Sequence, residues 1–195
     1  MDRSGKGILF LTRSAMIAAI YVVLTVFISA FNLASGVIQI RISEALTILP
    51  VFTNAAVPGL FAGCLISNLI TGCAPFDVVF GSIATLIGAV GTYALRKKSP
   101  AIAALPPIIS NTVIIPFVLK FVYDFPGSIP FFMLTVGAGE VISCGILGVA
   151  LYSALTPVKN RLFGSSSPEN STSPDENASM ENSRVSGDGS SSDDV

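Results

Sequence analysis

Gln39–Pro50 reads QIRISEALTILP and sets an arginine, Arg41, and a glutamate, Glu44, three residues apart. No charged residue occurs from Ser14 to Ile40 before it, or from Ala45 to Phe76 after it. Uncharged runs of this kind meet the roughly 20 apolar residues that a helix needs to cross a bilayer. They do not alternate as the strands of a membrane barrel would. The chain therefore reads as an all-α, multi-pass membrane protein. A charge at the rim of a span is costly unless it is paired or bound. Arg41 and Glu44 thus mark either a membrane–water boundary or the lip of a binding site.

Working outward, residues 1–13 carry Arg3, Lys6 and Arg13 ahead of the apolar run Ser14–Phe31. That run is longer than the core of a cleaved signal peptide, which predicts a retained first span over about 12–31. Ala15 and Ala19 lie four apart on it, a spacing of small residues that lets another helix approach closely. They serve either internal packing or the docking of a separate membrane subunit. Asn32–Ile42 reads as a loop. The block Ala45–Phe76 is too long for one span and is interrupted by Pro50 and Pro58, so two passes are expected, over about 43–54 and 56–72. The first is short enough to be tilted or broken. Further spans are expected over about 77–95, 101–121 and 131–157, giving six in all. Gly59 and Gly63 form a GxxxG pair in the third, a signature of close helix packing.

Charge supports this count. The tail Gly164–Val195 holds seven acids and one base, leaving ten bases and five acids in residues 1–163. With six spans, Arg3, Lys6, Arg13, Arg96, Lys97, Lys98, Lys159 and Arg161 fall on the side of the termini, and only Arg41 and Lys120 fall opposite. Basic loops mark the cytoplasmic side, so both termini are expected in the cytoplasm. The expected organisation is a membrane domain over 1–163 in the cell membrane. Residues 164–195 form a Ser-, Asp- and Glu-rich tail with almost nothing to bury, expected to be disordered.

The polar residues within the spans are few. Arg41 and Glu44 open the second, Asn68 lies near the end of the third, and Asp77 heads the fourth with Gly81 and Thr85 on its face. Asn111 is mid-way along the fifth. Glu140 lies about nine residues into the sixth, roughly 14 Å deep at 1.5 Å per residue. A carboxylate at that depth is either paired, with Arg41 or Lys120 as the available cations, or it binds a ligand. Three carboxylates, an arginine and two asparagines suit a small, nitrogen-rich solute. The chain has no histidine, no recognisable nucleophile–base pair and no P-loop, which weighs against an intramembrane enzyme and excludes ATP hydrolysis by that route. Cys64, Cys73 and Cys144 form no CxxC pair and read as small packing residues. No metal site or cofactor is expected. Two transport readings remain: a binding subunit powered by partners, and a self-sufficient secondary transporter that couples an ion through an intramembrane carboxylate. The spans do not divide into two similar halves, as many secondary transporters do.

Four blocks, taken in order, narrow this further. QIRISEALTILP, VPGLFAGCLISN, DVVFGSIATLIGA and VGAGEVISCGILG resemble the queuosine-precursor transporter family of QueT type, over about residues 12–157. Its members are substrate-binding S components of energy-coupling factor (ECF) transporters. The resemblance implies six helices and a pocket near the outer face. It implies as partners an ECF transmembrane coupling subunit and two ABC-type ATPase subunits, with membrane lipid around them and no nucleic acid. The implied ligand is a queuosine precursor, a purine-like 7-deazaguanine base. Gln39, Arg41, Glu44, Asn68, Asp77, Asn111 and Glu140 are the candidate substrate-binding residues. Ala15 and Ala19 match the small-residue motif by which S components dock on the coupling subunit.

Overall fold

A computed structural model describes residues 3–30, 41–124 and 126–159, all within the compact unit Met1–Phe163. Residues 32–40 of the expected Asn32–Ile42 loop, Gln39 among them, and the acidic tail 164–195 lie outside the described residues, while Ile42 already belongs to a helix. Every element among the described residues is helical. Six helical segments follow in order: α1 (Arg3–Ala30), α2 (Ile42–Val51), α3 (Ala56–Ile70), α4 (Pro75–Ala94), α5 (Pro100–Phe121) and α6 (Ile129–Val158). Four of them, α1, α4, α5 and α6, are long and apolar enough to cross a membrane, while α2 and α3 are shorter apolar helices.

The expected second span is a 3₁₀ helix. Its ten residues rise about 2 Å each and reach about 20 Å, short of the roughly 30 Å hydrocarbon core. The β-branched Ile42, Thr47, Ile48 and Val51 and the donorless Pro50 disfavour an α-helical ladder here. Even so, α2 is the best-buried element: Ser43 through Pro50 are all buried. It packs against each of the other helices, so the bundle is assembled around it.

The neighbouring helices close on one another through glycine. A Cβ on Gly59 would lie 2.7 Å from the Ser14 carbonyl oxygen, and one on Gly63 would lie 2.8 Å from Tyr21 Cβ. The GxxxG pair therefore brings α3 against the backbone of α1, as its spacing predicts. Ser14 Oγ adds a hydrogen bond to the Ala55 carbonyl at 2.8 Å. Gly88 and Gly91 do the same for α4 against Pro107 and Pro106 of α5. Ser110 and Thr92 hydroxyls donate across that contact to the carbonyls of Ala84 and Ala103, each at 2.9 Å.

Along α4 the usual soluble pattern is inverted. Asp77, Gly81, Ser82, Thr85, Gly88 and Thr92 face inward, while Val79, Phe80, Ile83, Ile87 and Val90 are exposed. Such a surface is stable in lipid, where helix contacts form through small and polar residues. The chain is thus built as a multi-pass membrane protein. An apolar groove of about 680 Å³ runs between α4 and α5 on this outer face, with Phe76, Phe80, Phe117 and Phe121 in its wall. No polar side chain lines it, so the candidate binding residues lie elsewhere.

Candidate functional site

Two breaks in regular helix define the site. Glu44 sits on the 3₁₀ helix α2, and Glu140 is the last α-helical residue before a π-helical stretch, Val141–Leu147, inside α6. Irregular backbone at membrane depth is tolerated where it is enclosed by protein or lines a cavity, and π turns gather at functional sites. Glu44 and Glu140 are 1% and 6% exposed. One carboxylate oxygen of each and the Cys144 sulfur lie within 4.8 Å of one another.

Arg41 acts on both acids, but through space and not by direct contact. Among the described residues neither acid makes an ion pair, so of the two alternatives for Glu140 the direct pairing with Arg41 or Lys120 does not form. Each carboxylate is instead held by a neutral donor. The Tyr21 hydroxyl donates to Glu44 Oε1 at 2.5 Å, and the Cys144 thiol donates to Glu140 Oε2 at 3.2 Å. Thr47 Oγ1 donates to the Glu44 carbonyl at 2.6 Å and lies 3.3 Å from the Cys144 sulfur, tying α2 to α6. The Asn111 amide, from α5, faces both acids within weak hydrogen-bonding range, but none of these contacts has the geometry of a formed bond. Three buried atoms here have no hydrogen-bond partner: Glu44 Oε2, Asn111 Nδ2 and Ser143 Oγ. Buried polar groups are nearly always paired, because leaving one unpaired costs about 1–3 kcal/mol. An acceptor and a donor left open beside a second carboxylate describe a place prepared for a polar guest.

Asp77 and Asn68 form a second group at the N-terminal end of α4. A Cβ on Gly81 would sit 3.2 Å from Asn68 Nδ2 and 3.6 Å from Asp77 Oδ1, so the absent side chain leaves room for both. Tyr123, in the turn after α5, donates its hydroxyl to Asp77 Oδ2 at 3.0 Å and accepts from the Ala74 amide at 3.1 Å. Tyr123 thereby latches the α5–α6 connection onto the start of α4. Burial pushes its phenol up to about 12, so it remains a donor to Asp77 at neutral pH. Cys64 bridges the two groups. It receives Asn68 Nδ2 at 3.6 Å and Thr85 Oγ1 at 3.4 Å, and Glu44 and Arg41 lie in its electrostatic neighbourhood. Arg41 is half-buried and feels Asp77 more strongly than Glu44.

Of the residues singled out from sequence, Glu44, Asn111 and Glu140 come together. Asn68, Asp77 and Arg41 cluster beside them, and Gln39 lies outside the described residues. Ala15 and Ala19 are exposed on the face of α1 opposite Ser14, Ile17, Ala18 and Tyr21, so they do not serve the internal packing of the bundle. Three site residues went unread. Tyr21 is seven residues from Ser14 and so shares its inward face, a signal present in the sequence. Cys64 and Cys144, taken as packing residues, carry hydrogen bonds to polar site residues. Nothing in their spacing distinguishes that role from packing.

The family model described as "QueT transporter" matches residues 11–157. The chain belongs to the QueT transporter family. Over 73 residues it is 34% identical to the "Queuosine precursor transporter QueT" of Lactococcus lactis subsp. cremoris (strain MG1363). The match covers 37% of this chain and 43% of that relative, so the chain spans less than half of the relative's length. No solved structure matches it. The QueT family match encloses Tyr21, Glu44, Asn111, Glu140 and Cys144, so the whole carboxylate cluster lies inside the family's own segment.

Proposed function

We propose that this QueT-family chain is the substrate-binding membrane subunit of an ECF-type importer for a queuosine precursor, a 7-deazaguanine base. The observation that carries the reading is the pair Glu44 Oε2 and Asn111 Nδ2, both buried, facing one another's residues and neither making a well-formed hydrogen bond. A 7-deazaguanine presents N–H donors beside a carbonyl acceptor. Glu44 Oε2 accepts from the ring N–H and the exocyclic amine, and Asn111 Nδ2 donates to the carbonyl. Glu140 offers a second acceptor within reach of the same guest. The relative's name supports the substrate class, and the all-apolar groove on the outer face offers no competing polar site.

Energy comes from outside this chain, which has no P-loop. The exposed Ala15 and Ala19 on α1 form the surface where a transmembrane coupling subunit docks, joined to two ABC-type ATPase subunits. Small side chains there let the partner helix come close. Both termini lie in the cytoplasm, following the basic loops, and the carboxylate cluster receives substrate from outside.

The experiment is uptake in cells unable to make the precursor, read as queuosine in their tRNA. The expected result is uptake only when the chain is expressed with a coupling subunit and ATPases. Uptake by the reconstituted chain alone, driven by a proton gradient, would overturn the partnered mechanism. It would establish the secondary transporter, with Glu140 or Asp77 as the coupling group.

A further inference from the structure

We propose that Glu44, Glu140 and Cys144 also form a binding site for a thiophilic divalent cation of the zinc class, and that such an ion blocks the pocket. The three side chains come from α2 and α6, and their potential ligand atoms lie within 4.8 Å of one another. A tetrahedral zinc with one sulfur at about 2.3 Å and oxygens at about 2.0–2.2 Å sets neighbouring donors about 3.3–3.7 Å apart. Cys144 Sγ and Glu140 Oε2 already stand 3.2 Å apart, close to that spacing, and Glu44 has an oxygen within 4.8 Å of both. Glu44 Oε2 has no partner to give up.

A second observation points the same way. Glu44 is 1% exposed and its Oε2 is an acceptor without a hydrogen-bond partner. An unmet acceptor beside a carboxylate and a thiol is what a cation satisfies, whereas the Asn111 Nδ2 next to it can only donate. The donor set decides which ion. One thiolate with two carboxylates suits zinc or cadmium, whereas magnesium and calcium prefer oxygen alone. Two carboxylates and a thiolate oppose the ion's double positive charge in a buried setting, and no ion pair within the described residues competes for the acids. On binding, the Cys144 thiol releases its proton to solvent and its hydrogen bond to Glu140 is replaced by coordination. Tyr21 and Thr47 remain as the groups that orient Glu44 and Cys144, the role that outer hydrogen bonds play around bound metals.

The metal site stands on this geometry alone. Its competition with substrate rests on the ligand reading given above. The test is titration of the purified full chain with cadmium chloride, following the thiolate-to-cadmium charge-transfer absorption. One equivalent should raise a saturable band. The band should vanish in Cys144→Ser, persist in Cys73→Ser, and need at least tenfold more cadmium in Glu140→Gln. X-ray absorption at the metal edge of the wild-type protein gives an independent reading, one sulfur with oxygen neighbours, whether or not Cys144→Ser folds. No band, a band unchanged in Cys144→Ser, or a shell holding two sulfurs would overturn the site. Saturating cadmium should then abolish binding of a 7-deazaguanine base. Cadmium bound with the base affinity unchanged would keep the metal site and overturn its overlap with the ligand.

Discussion

Tyr21 and Glu44 make the shortest described side-chain contact of the site, at 2.5 Å, inside a bundle where neither meets solvent. Removing the hydroxyl leaves Glu44 Oε1 buried without its donor, at a cost of about 1–3 kcal/mol. Tyr21→Phe should therefore lower the denaturation midpoint of the purified protein, and an unchanged midpoint would show that the bond contributes nothing net. Asp77 and Tyr123 invite a different test, because both partners can be deleted. Asp77→Asn and Tyr123→Phe should be non-additive, with a coupling of about 0.5–3 kcal/mol in a double-mutant cycle. The pH dependence of this latch follows from the raised Tyr123 value. The folded state favours the protonated phenol, so its contribution is full below about pH 10, the ordinary tyrosine value. It is lost as pH rises through about 12. Absorbance at alkaline pH should show a phenol phase near pH 12, later than the ordinary tyrosine value of about 10, and Tyr123→Phe should remove it.

The α1–α3 contact is the most sharply constrained pairing of elements. Gly63 faces Tyr21 Cβ at a distance that admits no added carbon. Gly63→Leu should separate the two helices and displace Tyr21 from Glu44, so expression in the membrane and ligand binding should fall together. The outer face of α1 behaves differently. Ala15 and Ala19 point away from the bundle, so Ala15→Trp with Ala19→Trp should leave ligand binding by the isolated chain intact while abolishing uptake with the partners present. Loss of binding as well would show that this face supports the fold. Helices of this kind were readable from the sequence because length and apolarity dictate a span. The 3₁₀ form of α2 and the π turn after Glu140 were not, since both arise from how the chain packs around the acids. Pro50 and the β-branched residues announced only that α2 would be irregular.

For the molecule as a whole, positions that carry charge in an apolar setting were legible and their partners were not. Glu44, Asn111 and Glu140 stood out because a polar group in a span needs a reason. Their convergence required α2, α5 and α6 to meet, which no spacing records. The sequence offered Arg41 and Lys120 as counter-ions to Glu140. The bundle supplies Cys144 instead, a residue too ordinary in an apolar helix to draw notice. The proposed orientation rests on the loop charges and can be tested through Cys73, which is half-buried in the α3–α4 turn while Cys64 and Cys144 are buried. A membrane-impermeant maleimide should label intact cells through Cys73, and labelling only after the membrane is opened would invert the proposed topology. The central claim is that the buried pair of carboxylates with Asn111 is where substrate binds. Calorimetry of a 7-deazaguanine base binding to the purified chain, repeated with Glu44→Gln, tests it most directly. Saturable one-site binding is expected, weakened tenfold or more by the substitution, about 1.4 kcal/mol. Equal affinity in a well-folded Glu44→Gln protein would contradict it.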